Sequence, residues 1–85
     1  MDREETLNEA IRLTMGDRNE SYDDPLANHT RIAKIWSVIL GIEIDATHVA
    51  LCMAGLKLAR LAYKYDDDSF IDLCAYAAIA NEVRG

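Results

Sequence analysis

The segment ATHVALCMAGLKLARLAYK, residues 46–64, most constrains what this chain can become. Val49, Leu51, Met53, Leu56, Leu58 and Leu61 put apolar residues on nearly every side of a helix. A helix that is apolar all round has to be covered all round. In a chain of 85 residues, that predicts the central helix of a bundle, or a helix shared with a second subunit. Nothing elsewhere alternates with the period of a strand, and the apolar link Ile42–Ile44 is too brief to build a sheet.

The remaining elements follow from helix punctuation. A first helix is expected over residues 3–15, with Asp2 as N-cap and Glu5 at the capping-box spacing. Leu7, Ala10, Ile11 and either Thr14 or Met15 would share its inner face, and Gly16 would end it. The run GDRNESYDD, residues 16–24, is a polar loop in which Tyr22 is the one apolar residue. Asp24 followed by Pro25 is a strong start signal for a second helix. That helix extends to about Leu40, with Leu26, Ile32, Ile35, Trp36 and Ile39 as its apolar stripe and Gly41 as its stop. Asp45 caps the third helix. The acidic turn Asp66-Asp67-Asp68 opens a fourth, over residues 68–84, because carboxylates favour a helix N-terminus. Its inner face reads Phe70, Leu73, Cys74, Ala77 and either Ile79 or Ala80. The expectation is a single all-α domain over residues 1–85, a compact bundle of four helices.

Composition adds a constraint. The chain is 51% hydrophobic, whereas a domain this small buries only about 60–65% of its unfolded surface. Part of that apolar surface is therefore expected to be covered by a homo-oligomer. A net charge of −6 argues against binding nucleic acid, whose backbone would repel it, and suits a basic protein surface. The start, MDREETLNEAIRL, lacks the apolar core of a signal peptide. No run reaches the roughly 18 apolar residues of a membrane span, so no membrane association and a cytoplasmic location are expected. Cys52 and Cys74 read as small buried hydrophobes, and no Cys/His cluster points to structural zinc.

The residues most open to a functional reading are polar ones on helices that should be buried. Lys57, Arg60 and Lys64 share one face of the third helix, and Asp68, Asp72 and Tyr76 share one face of the fourth. Helices joined by a short turn pack antiparallel, so the two stripes can meet. They make either a salt-bridge ladder that sets register or a polar pocket with Lys57 and Arg60 aimed at phosphate oxygens. On the second helix, Asn28, Arg31 and Lys34 are either a solvated face or part of the same site. Asp17, Arg18 and Tyr22 are candidates from the polar loop. Trp36 reads as core, and His29 and His48 as surface or cap residues. No serine or cysteine has an evident histidine partner for nucleophilic catalysis.

Gly16-Asp17-Arg18-Asn19, Tyr22, Asp24-Pro25, Asn28, Arg31-Ile32-Ala33, Trp36 and Gly41 together resemble a family of small, uncharacterised helical proteins encoded mainly by bacteriophages and prophages. That family's pattern is GDRN-x-x-YGDP-x-x-N-x-x-RIA-x-x-W-x-x-x-x-G. It continues here through Thr47-His48-Val49-Ala50, Lys57 with Arg60, Asp68-Ser69-Phe70-Ile71-Asp72 and Tyr76-Ala77-Ala78, covering roughly residues 4–83. Asp23 departs from the pattern by replacing a glycine, and Phe70 stands where tryptophan is commoner. The family is similar in outline to MazG-like all-α nucleoside triphosphate pyrophosphohydrolases, which hold magnesium with ExxE and ExxD pairs and act as dimers or tetramers. The resemblance implies a nucleotide-handling scaffold with a site drawn from Asp17, Arg18, Tyr22, Asn28, Arg31, Lys57, Arg60, Asp72 and Tyr76. No cofactor is implied for binding alone; magnesium would enter with an enzyme, at Asp68 and Asp72. The available carboxylate pairs, Glu5 with Glu9 and Asp68 with Asp72, are spaced by four rather than three. Three uses stay open: sequestering a host defence-signalling nucleotide, pyrophosphohydrolysis, or acidic inhibition of a host nuclease.

Overall fold

A computed structural model describes residues 1–15 and 24–84. They form α1 (Arg3–Met15), α2 (Pro25–Leu40), α3 (Ala46–Tyr63) and α4 (Asp67–Val83), with no strand among the described residues. The chain is an all-α bundle. Gly16, Asp17, Arg18, Asn19, Tyr22 and Asp23 lie outside the described residues.

The punctuation acts as its chemistry requires. At α1, the Glu5 N–H donates to the Asp2 carboxylate at 2.8 Å and the Asp2 N–H donates back to Glu5 at 3.2 Å, a reciprocal capping box. Asp24 accepts from the Ala27 N–H at 3.2 Å, with Pro25 in the first turn. Asp45 accepts from the His48 N–H at 2.9 Å, and the Asp45 N–H donates to His48 Nδ1 at 3.1 Å. This histidine thus fills the place usually taken by glutamate. Gly41 ends α2 in the left-handed region at φ 71°, its N–H donating to the Ser37 carbonyl at 2.9 Å.

Ser37 then fastens the corner between α2 and α3. Its hydroxyl accepts from the Ile44 N–H at 2.9 Å and lies 2.7 Å from the Ala33 carbonyl, to which it donates. His29 was expected at the surface or as a cap. It is instead buried, its Nδ1 2.8 Å from the Pro25 carbonyl one turn earlier, which satisfies the ring in place.

α3 and α4 form the most extensive helix pair; α1 packs on α4, and α2 packs on α3 and more lightly on α4. The interior is built mainly of alanine. Among the described residues, the buried hydrophobic side chains larger than alanine are Val49, Leu61 and Ile71. Ala10, Ile71 and Ala75 form a cluster where α1 meets α4, with Leu13 and Cys74 packed beside it.

The expected inner faces hold at Ala10 and Ala80, which are buried, and shift elsewhere. Leu7 and Ile11 flank the α1 contact and stay exposed, while Ala10 is buried and Leu13 half-buried. On α2, Leu26, Ile35 and Ile39 are exposed, Ile32 and Trp36 are half-buried, and Ala33 takes the inner position. On α3, Leu51, Leu56 and Leu58 face outward while Ala50 and Ala54 are buried. On α4, Phe70 and Ala77 are exposed, and Ser69, Ile71, Ala75 and Ala80 are buried. Small residues win the inner positions because they let helix axes approach closely. Cys52, read as buried, is exposed for the same reason: it lies on the outer side of α3.

Gly41 gives a direct test of this punctuation. A Cβ there would meet nothing within 4 Å, so backbone conformation alone penalises a side chain. Gly41→Ala is expected to lower unfolding free energy by about 1–2 kcal/mol, measured by urea denaturation.

Candidate functional site

Lys57 lies on the inner face of α3, three residues after the buried Ala54 and four before the buried Leu61. Asp72 lies on α4 between the buried Ile71 and Ala75. The two charged groups therefore meet across the helix pair, Lys57 Nζ standing 3.0 Å from Asp72 Oδ2. Their side chains are 14% and 25% exposed. An ammonium is tolerated at such a place because its apolar stem packs while its head finds a carboxylate.

Of the two stripes expected from the sequence, this is the rung that forms among the described residues. Lys64 is the exposed C-cap of α3, its N–H donating to the Arg60 carbonyl at 3.0 Å. Asp68 is exposed in the first turn of α4. Arg60 is exposed one turn beyond Lys57. Tyr76 is half-buried, one turn after Asp72 on the same helix. On α2, Asn28 is half-buried and Arg31 is exposed. Asp17, Arg18 and Tyr22 lie outside the described residues.

Asp66 joins this end of the molecule as the N-cap of α4. It accepts from the Ser69 N–H at 2.7 Å and from the Ser69 hydroxyl at 2.8 Å. These bonds, the backbone one foremost, hold its carboxyl below the usual value, with the fields of Arg60 and Lys57 adding to the effect. Ser69 itself is 2% exposed. A serine three residues after an aspartate cap is the sequence signal for this clasp.

A groove of about 500 Å³ opens where α3 turns into α4, lined by Leu58, Leu61, Tyr63, Lys64, Tyr65 and Phe70 among others. The rings of Tyr65 and Phe70 stand 6.1 Å apart at 46°. Two further grooves, of about 430 and 450 Å³, lie beside the α2–α3 link and beside the start of α1. Lys57, Arg60 and Asp72 line none of the three.

The carboxylates that magnesium would require are dispersed. Glu5 is engaged in the α1 cap, Glu9 pairs with Arg12, Asp72 pairs with Lys57, and Asp68 is exposed beside Asp67 in the first turn of α4. Among the described residues no three His, Cys, Asp or Glu side chains gather as a metal site would need. The donor set among these residues does not fit the ion.

Two consequences can be measured. Lys57→Ala would leave Asp72 half-buried without its cation. The loss is expected to be about 1–3 kcal/mol, between the values for exposed and fully buried pairs. Lys57→Met combined with Asp72→Leu should recover most of it in a denaturation cycle. Asp66 gives a pH signature. Because its folded pKa is depressed, its stabilisation is fully present above the unfolded value near 3.8 and is lost as pH falls through the lower folded value. Asp66→Asn should flatten the acid limb of a plot of melting temperature against pH.

Among the described residues, no helix is long and apolar enough to cross a membrane. Comparison with known proteins places the chain among phage proteins. It is 38% identical over 81 residues to the Gene 55 protein of Mycobacterium phage D29, covering 94% of this chain and 54% of that protein. It is 32% identical over 80 residues to the Gene 55 protein of Mycobacterium phage L5, covering 92% and 51%. The chain thus spans about half the length of these curated relatives. No solved structure matches it. A family model described as Domain of unknown function (DUF6378) matches residues 5–84, and the chain belongs to that family.

Proposed function

We propose that this chain binds a phosphate-bearing nucleotide at the end of the bundle where α3 turns into α4. The observation that carries the reading is an aromatic groove with a cationic edge. Lys64 lines the groove beside Tyr65 and Phe70. Arg60 lies one turn back along the same face of α3, and Lys57 a further turn. A base would lie against the exposed aromatic rings, and its phosphates would reach the Arg60 guanidinium and the Lys64 ammonium. Lys57, engaged by Asp72, would contribute its field and a fixed helix register rather than a free hand. Neither Asn28 nor Arg31 lines this groove.

Binding without turnover is the preferred form, since the carboxylate pairs have a spacing of four where MazG-like enzymes use three. For a phage protein, holding a host signalling nucleotide out of circulation is a coherent use. Acidic inhibition of a host nuclease is the competing reading, and it draws on the net charge of −6.

Melting temperature measured with nucleoside triphosphates, ADP-ribose derivatives and cyclic dinucleotides tests the proposal. A ligand at 100 times its dissociation constant should stabilise the chain by about 2.7 kcal/mol. Arg60→Ala and Lys64→Ala should remove that shift while leaving the melting temperature of the free protein unchanged, because both side chains are exposed. Product analysis with added magnesium then distinguishes retention from hydrolysis. A panel that shifts nothing, or a shift that survives both substitutions, sinks the reading.

A further inference from the structure

The side of α3 turned away from α4 carries Leu51, Cys52, Gly55, Leu56 and Ala59, all exposed. Among the described residues nothing covers it: α1 does not reach α3, and α2 and α4 pack on its other sides. Leu51 is 55% and Leu56 50% exposed.

The surface area shows how large a cover is needed. A folded monomer of 9.5 kDa is expected to expose about 5,000 Å², whereas this chain exposes 6175 Å². The surplus of roughly 1,100 Å² exceeds the roughly 800 Å² that each partner buries in a stable complex. The radius of gyration, 13.4 Å, also exceeds the roughly 12 Å expected for this length. An interior of alanines with few larger side chains leaves much apolar surface outside.

Charge identifies the cover. The chain holds 15 Asp and Glu residues and none between Asp45 and Asp66. Two copies of a chain of net charge −6 repel one another over most of their surface. The outer side of α3, like residues 25–42, is a surface on which they can approach without acids opposing. A basic partner would find no carboxylate there. Gly55 adds a steric observation. It sits in the helix interior, where glycine weakens the helix relative to alanine, yet a Cβ there would meet nothing within 4 Å. No contact within the described residues requires it, and a second helix backbone crossing at that point would use the space.

We infer that the outer face of α3 docks against the same face of a second copy, the two helices crossing at Gly55 about a two-fold axis. The residues involved differ from those of the nucleotide groove, and the test uses no ligand, so the two proposals fail separately.

Sedimentation velocity over a wide concentration range gives the primary readout. The wild-type chain should sediment as a dimer, or as a multiple of one. Gly55→Glu should sediment as a monomer with its far-ultraviolet helicity retained. Ala59→Glu, equally exposed on the same face, is the second variant in case the first fails to fold. In a Cys74→Ser background, the Cys52 thiol should react slowly with a thiol reagent in the assembled protein and rapidly once Gly55→Glu is added. Gly55→Ala should lower the melting temperature, although alanine is the better helix former. A monomeric wild-type chain overturns the inference, as does an assembly that survives both charged substitutions or a Gly55→Ala protein that melts higher.

Discussion

Everything in this fold depends on α3 and α4 lying close together, and the Lys57–Asp72 pair sits within that contact. Close approach demands small side chains, which is why Ala50, Ala54 and Ala75 are buried while Leu51, Leu56 and Leu58 of α3 face outward. A charged pair in such a place adds less to net stability than its geometry suggests, since desolvation offsets much of the attraction. Its larger effect is on register. Sliding one helix past the other by a turn would strand an ammonium and a carboxylate among apolar neighbours, so the pair penalises every alignment but one.

The same close packing explains the shortage of interior volume. Alanine interfaces bring helices together but remove little apolar area from water per residue. The area not buried within the chain appears on its outside: Val38 is 84% exposed and Ile39 73%. The abundance of apolar residues in the sequence and the modest core are therefore two views of one arrangement. The bundle uses small residues for most internal contacts and leaves many large ones on its surface.

The sequence made the helices and their ends legible because these depend on local chemistry. Asp2 with Glu5, Asp24 with Pro25, Gly41 and Asp45 each act within one turn, and the observed boundaries follow them closely. The inner faces were harder to read. Periodicity reports that a helix has an apolar side, but not which part of a wide apolar side meets a neighbour. On α3 both sides are apolar, so alanine against alanine could not be told from leucine against leucine without the partner helix. The Lys57–Asp72 contact was legible as a possible pairing of two stripes, because both residues interrupt apolar faces. That Lys64 and Asp68 would stay outside it was not, since the turn between the helices sets how far the stripes overlap. Ser37 and Ser69 went unnoticed because a serine in a helix is ordinary until its hydroxyl is seen to meet a backbone N–H or a capping carboxylate.

The clasp at Ser37 has a bearing on how this molecule opens. With that hydroxyl bonded to both sides of the bend, α2 and α3 meet at a braced corner rather than a hinge. α3 and α4 are joined by their ion pair and their broad contact. What remains is α1, which among the described residues touches α4 and no other helix. Detachment of α1 would bare Ile71 and Ala75 while leaving the contacts among the other described helices in place. Amide protons of α1 would exchange first, and the chain would pass through a transient three-helix form each time it breathes.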